Sequence, residues 1–199
     1  MRQTTEAIVL GLRKHSDKLS VLHVYTRSEG RLALHVYGAH GKHKVRAAYQ
    51  PMTVVEITYE NYPTHPRPTL STIDPVYLPE RIYDDMRRRS IALFVTEILL
   101  LNLTHPMQDD RMYQFIVDFV HELNDTSEPE NIHIRFMQQF AKQLGIGSPL
   151  LGSPDHTATP PASRQARQQQ LKQLCEYYME HIEAFRMPKS LDILIEIFD

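Results

Sequence analysis

The chain has one cysteine, Cys175, and no tryptophan in 199 residues. A single thiol excludes an intramolecular disulfide framework and any multi-cysteine zinc site, and it fits a reducing cytoplasm. Seven Phe and ten Tyr remain to fill a core, and a hydrophobic content of 42% supports one or two ordinary folded domains. Long apolar runs are also missing. The longest, Ile91 to Leu103, is broken by Thr96, Glu97 and Asn102. It falls short of the roughly 20 apolar residues that a bilayer crossing needs, so no membrane association is expected. The opening MRQTTEAIVLGLRKHSDK has too short an apolar run, followed at once by charge, for a signal peptide. There is no Gly-rich phosphate loop, no G-x-S-x-G elbow and no H-E-x-x-H helix. The sequence points to no enzyme, no cofactor and no metal.

Charge is present but unevenly placed. Residues 1–50 hold nine Lys/Arg against three acids, while the remainder holds thirteen against twenty-one. A net charge of −2 therefore hides a basic front and an acidic body. Such asymmetry suggests a polyanion-binding surface fused to a protein-binding scaffold.

Five strand-like runs fill the first 77 residues: Glu6–Leu12, Leu19–Thr26, Arg31–Gly38, Val54–Tyr59 and Thr69–Tyr77. Each is rich in β-branched or aromatic residues and bounded by turn chemistry. Ser28-Glu29-Gly30 predicts a tight hairpin, and Gly38–Gly41 opens a longer 3–4 connection. Pro63, Pro66 and Pro68 forbid regular pairing in the 4–5 connection. Five short strands in so few residues fit a small closed barrel, because closure removes exposed edges. From Pro79 the apolar period lengthens to that of helices. Stripes appear at Ile91–Leu99, Met112–Leu123, Phe136–Leu144, Leu171–Phe185 and Leu191–Phe198, with a Pro-rich loop at 148–163. The expected organisation is a barrel domain over 1–78 and an all-helical domain over 79–199, an α+β fold with the strands first.

Single-stranded DNA on a barrel needs cations along the phosphates and π-faces under the bases. Arg13, Lys14 and Lys18 fall on the 1–2 connection; Lys42, Lys44 and Arg46 on the 3–4 connection; Arg27 and Arg31 flank the hairpin. His40 and His43 sit among them, and Tyr25, Tyr37 and Tyr49 are candidates for stacking or for the barrel wall. The same cations would serve a solubilising face equally well. His35, His40 and His43 are expected to add charge below about pH 6.5. Lys42 and Lys44 oppose a metal at His40 and His43. The pairs Asp84-Asp85 and Asp109-Asp110 lie near helix starts and read as helix-favouring acids. Cys175 shares the apolar stripe of Leu171, Leu174 and Tyr178 and reads as a buried thiol.

The ordered series Thr5-Glu6-Ala7-Ile8-Val9-Leu10, Lys18-Leu19-Ser20-Val21-Leu22-His23-Val24-Tyr25-Thr26, Glu29-Gly30-Arg31, Tyr37-Gly38-Ala39-His40 and Tyr49-Gln50-Pro51 resembles the RecO family of bacterial recombination mediators. Arg88-Arg89-Ser90-Ile91-Ala92, Glu97-Ile98-Leu99 and the tail Lys189–Leu194 continue the resemblance. It implies an N-terminal OB-fold and a helical C-terminal domain. It implies binding and annealing of single-stranded DNA, and work with RecR and the C-terminal tail of the single-stranded DNA-binding protein to load RecA indirectly. It also implies a cytoplasmic, nucleoid-associated place in a bacterium. Two departures stand out. Tyr37 and His40 replace fixed cations of the family's Lys-Gly-Ala-Arg word, and the four-cysteine zinc module of many members has no counterpart. The loss of fixed charge keeps open a rival reading, a protein–protein adaptor whose barrel binds DNA only weakly. For the acidic, apolar-ended tail, the cations available in the helical half are Arg87, Arg88, Arg89, Arg164, Arg167 and Lys172.

Overall fold

The computed structural model describes residues 2–38, 47–62, 64–104, 107–147 and 163–198. Five strands come first: β1 (Arg2–Lys14), β2 (Leu19–Thr26), β3 (Gly30–Tyr37), β4 (Val54–Glu60) and β5 (Thr69–Tyr77). They close in the order β1-β2-β3-β5-β4, the last returning to β1. All pairings are antiparallel except the short parallel bridge of His35 with Thr69, which joins β3 to β5. This is the five-stranded OB-fold barrel. Alternation along the strands drives one set of side chains inward. Ala7, Val9, Leu22, Val24, Leu34, Val36, Val55, Ile57 and Tyr59 form that interior.

β1 runs longer than its apolar signal. Arg2–Thr5 is polar, yet it pairs with Glu60–Ile57 of β4, and Thr4 shares a 2.9 Å hydroxyl contact with Thr58. Ladder hydrogen bonds, not burial, extend the strand there. At the β2–β3 hairpin the Thr26 hydroxyl donates to the Gly30 carbonyl at 2.9 Å and accepts from Glu29 N at 3.1 Å. Gly30 has φ +71°, and the Met107 backbone occupies the space a Cβ would need. Only glycine satisfies both conditions.

Helices follow: α1 (Glu80–Asp84), α2 (Met86–Asn102), α3 (Asp110–Asp125), a 3₁₀ turn (Pro129–Asn131), α4 (Ile132–Gln143), α5 (Arg164–His181) and α6 (Ser190–Ile197). The chain divides into two compact units, Met1–Glu80 with Leu103–His121, and Arg81–Asn102 with Glu122–Asp199. Residues 103–121 thus group with the barrel and not with the remaining helices. The reason is local chemistry: Arg31 donates to the Leu103 carbonyl at 2.9 Å, and Tyr77 packs on His121 at 4.2 Å.

In the helical unit Ile91, Phe94, Val95, Ile98 and Leu99 of α2 are fully buried, as their spacing predicts. Phe136, Phe140, Tyr178 and Phe185 form a chain of rings with centroids 5.5, 6.4 and 5.3 Å apart. The buried Tyr178 hydroxyl is satisfied by the Met137 carbonyl at 2.7 Å, which fixes α5 against α4. Cys175 is buried, and burial followed by the nearby Glu176 charge pushes its thiol up to about 12, so it carries no thiolate.

Candidate nucleic-acid interface

The strand register defines three outward rows across β1, β2 and β3. They are Ile8–Tyr25–Arg31, Gly11–His23–Ala33 and Arg13–Val21–His35. The first row is covered. Ile8 and Tyr25 are buried, and Arg31 is fastened to Leu103. The other two rows lead toward the 1–2 and 4–5 connections. Arg13 is exposed, His23 is half-buried, and the space over Gly11 is open.

The pKa shifts report how the charges cluster. Burial first, and then Arg31, Arg13 and Arg67, lower His23 to about 4. His35 is lowered by burial, then by Arg67, His65 and His15. Burial and Arg13 lower the Arg31 guanidinium from its ordinary value. Like charges near one another disfavour each cation. Arg13, Arg31 and Arg67 therefore share one neighbourhood around His23. Among the described residues no carboxylate forms an ion pair with Arg13 or Arg67. A positive field left uncompensated in this way attracts a polyanion.

Two connections frame this face. The 4–5 connection is tied to β3 by the 2.8 Å bond from His35 N to the Pro68 carbonyl. It carries exposed Arg67 and His65, and the Tyr62 ring lies 5.2 Å from His65, with its hydroxyl donating to Glu60. In the 1–2 connection His15 N and Ser16 N both donate to the Leu19 carbonyl at 2.9 Å. Lys14 pairs with Asp17 at 2.8 Å, and Lys18 is exposed. Gly38 N donates to the Lys18 carbonyl at 3.5 Å, so the 3–4 connection departs beside the 1–2 connection.

Of the residues expected from the sequence, Arg13 and Arg31 lie on this sheet face, and Lys14 and Lys18 on its adjoining connection. Arg27 does not join them. It pairs with Glu6 at 3.0 Å and Asp110 at 3.8 Å and lies over the Tyr113 ring at 5.6 Å. His40, Lys42, His43, Lys44 and Arg46 lie outside the described residues. Tyr25 is buried and Tyr49 packs against the barrel core, whereas Tyr37 is 56% exposed. The expectation for His35 is corrected: burial first, and then Arg67, His65 and His15, lower its pKa from the ordinary value, so it gains charge less readily than an exposed histidine. Arg67, Tyr62 and His23 are additions. Arg67 lies among prolines whose strand-breaking chemistry carries no sign of its place near His23. The His23 signal was available, since it alternates with the inward Leu22 and Val24.

The cations of the helical unit separate into two kinds. Arg88 is not available for docking. It is buried, donating to the Leu123 carbonyl at 3.1 Å, the Thr126 carbonyl at 2.5 Å and Asp85 at 2.8 Å. Arg87 pairs with Glu130 at 3.4 Å, and Arg89 donates to the Tyr83 carbonyl. Arg164 and Arg167 instead line a shallow groove with Leu171, Leu194 and Phe198, over the buried His133. One acid of each pair is a helix cap. Asp85 accepts from Arg88 N at 3.0 Å, and Asp109 accepts from Arg111 N and Met112 N, both at 3.0 Å. Among the described residues no helix is long and apolar enough to cross a membrane.

Comparison with known proteins agrees with this architecture. The family description "Recombination protein O N terminal" matches residues 1–77, and "Recombination protein O C terminal" matches 83–151. A DNA repair protein RecO of Porphyromonas gingivalis is 26% identical over 98% of this chain and 98% of its own length. The proteins of the same name from Flavobacterium psychrophilum and Flavobacterium johnsoniae are each 24% identical over the full length of both chains.

Proposed function

Because the chain belongs to the RecO family of DNA repair proteins, we propose that it binds single-stranded DNA on the β1–β2–β3 face and promotes annealing of complementary strands. The observation that carries this reading is the gathering of Arg13, Arg31 and Arg67 around His23, on a face whose bordering segments carry the exposed Tyr37 and Tyr62. Guanidiniums along a strand release its counterions and lower the repulsion that keeps two complementary strands apart. Exposed tyrosines beside them supply sequence-tolerant stacking. Lys14 and Lys18 extend the same track, and Lys42, Lys44 and Arg46 follow Gly38 in the chain. No step of this activity needs bond chemistry, so the proposal is of a mediator and not an enzyme.

The partners belong to the same proposal: RecR, the acidic tail of the single-stranded DNA-binding protein, and RecA through them, in the bacterial cytoplasm at the nucleoid. The groove bordered by Arg164 and Arg167 suits an acidic segment ending in apolar side chains, which Leu171, Leu194 and Phe198 would receive. A second reading is favoured by the commitment of Arg27 to Glu6 and Asp110 and by Tyr37 in place of a family cation. In it the protein is an adaptor with weak DNA affinity. One experiment separates the two. Labelled oligo(dT) is titrated with the parent and with Arg13→Glu/Arg67→Glu, and an acidic peptide with an apolar C-terminus is titrated with Arg167→Glu. The mediator reading expects the first variant to lose at least tenfold in DNA affinity. No DNA binding by the parent, with peptide binding lost in Arg167→Glu, would establish the adaptor.

A further inference from the structure

We infer that His23 is a stacking platform for one nucleobase at the centre of the β1–β2–β3 face. This rests on the reading that the face binds single-stranded DNA, and it names the subsite that holds a base.

The position is defined by the register. Gly11 of β1 and Ala33 of β3 stand directly across from His23 on either side. The ring is thus flanked by the two smallest side chains, and the space over Gly11 is open. The neighbouring outward rows lie about 6.5 Å away in each direction along the strands. One carries Arg13 and the other Arg31. A base resting on the ring would have the exposed Arg13 guanidinium on one side, while Arg31 on the other side is held by the Leu103 carbonyl and adds its charge to the local field. Arg67, on the 4–5 connection, adds a third positive charge to the field at His23.

The Nδ1 of His23 is buried without a hydrogen-bond partner among the described residues. A buried, unpartnered polar atom costs free energy unless something is gained at the site. With no partner for an N–H at Nδ1, the proton belongs on Nε2, leaving a neutral ring with one donor. Burial and the three arginines keep it neutral near pH 7, with a pKa of about 4. A flat neutral ring among fixed cations divides the labour: arginines hold phosphates and the imidazole holds a base, whichever base it is.

The test uses the full chain and labelled oligo(dT), with binding followed by anisotropy across a salt series. His23→Ala should weaken binding roughly tenfold, within the range for removing one base–aromatic stack, and leave the log–log salt slope unchanged. His23→Phe should bind within about twofold of the parent. An oligomer with abasic sites should bind the parent and His23→Ala equally. The inference is overturned if His23→Ala binds oligo(dT) like the parent, if its loss appears as a flatter salt slope, or if a folded His23→Phe fails to restore affinity. A parent with no salt-sensitive binding would overturn the DNA-binding reading itself. A parent that binds, with an indifferent His23→Ala, removes the stacking subsite alone.

Discussion

The Glu97 carboxylate caps the final helix through Ser190, accepting from its backbone N at 2.9 Å and its hydroxyl at 2.6 Å. Lys189 N adds a third donor at 3.0 Å. The local cap position, Lys189, has no acceptor of its own to offer, so a residue 93 positions earlier supplies it. This explains how an eight-residue helix holds its first turn. Glu97→Ala should therefore lower stability by about 1–2 kcal/mol, with Glu97→Gln recovering part of the loss. Urea unfolding of the parent and both variants checks it, and an unchanged midpoint for Glu97→Ala would contradict it. Burial raises the Glu97 pKa, but the Ser190 and Lys189 hydrogen bonds and the Lys189 charge outweigh it, and the net shift is downward. The cap is thus present above the ordinary carboxylate range and is lost as pH falls through the lowered value.

Arg88 and Arg87 are neighbours in sequence with opposite roles. Removing the buried Arg88 guanidinium leaves the Leu123 and Thr126 carbonyls without that donor and takes one of two donors from Asp85. Arg88→Ala should cost about 3 kcal/mol. Arg88→Lys should recover little, because one ammonium cannot reproduce a planar fork with three acceptors. Arg87→Ala removes a solvent-exposed pair with Glu130 and a cation–π contact 5.9 Å from the Phe198 ring centroid, and should cost no more than about 1 kcal/mol. Equal losses at the two positions would contradict this assignment.

His133 makes the helical unit acid-sensitive. It is buried between Phe94 and Phe198, at centroid distances of 6.3 and 5.8 Å, and burial, then Arg167, lowers it to about 3. The folded pKa lies below the unfolded value of about 6.5, so the unfolded chain takes up the proton first. Stability from this group is complete above pH 6.5 and falls as pH drops toward 3. Between pH 7 and 5 the parent should lose about 2 kcal/mol more than His133→Phe. Urea midpoints at the two pH values test this, and parallel losses would show that His133 is not buried neutral.

Much of this was legible in the sequence, for physical reasons that differ by element. The barrel strands could be read because Leu32, Leu34 and Val36 must alternate with outward residues to fill a closed interior. The helices could be read because Ile91, Phe94, Val95, Ile98 and Leu99 cover one face. The start of β1 could not, because Arg2–Thr5 is held by ladder bonds that leave no apolar pattern. The return of 103–121 to the barrel's unit depends on a backbone carbonyl at Leu103 and a ring contact at His121. Such contacts join residues far apart in sequence. For the site, charge density singled out Arg13 and Arg31, which the register places on one sheet face, Arg13 exposed and Arg31 bonded to the Leu103 carbonyl. It could not tell Arg27, engaged by Glu6 and Asp110, from Arg67, which lies near His23, because composition carries no information about which carboxylate folds beside which cation.

The most direct test of the account is the salt dependence of oligo(dT) binding by the parent, Arg13→Gln/Arg67→Gln and Arg27→Gln. On single strands each neutralised phosphate contributes about −0.7 to the slope of log K against log salt concentration. The parent slope should be steep, the double variant flatter by about 1.4, and the Arg27→Gln slope equal to the parent's, because Arg27 already serves Glu6 and Asp110. A double variant with the parent's slope and affinity would contradict the assignment of the β1–β2–β3 face as the DNA interface.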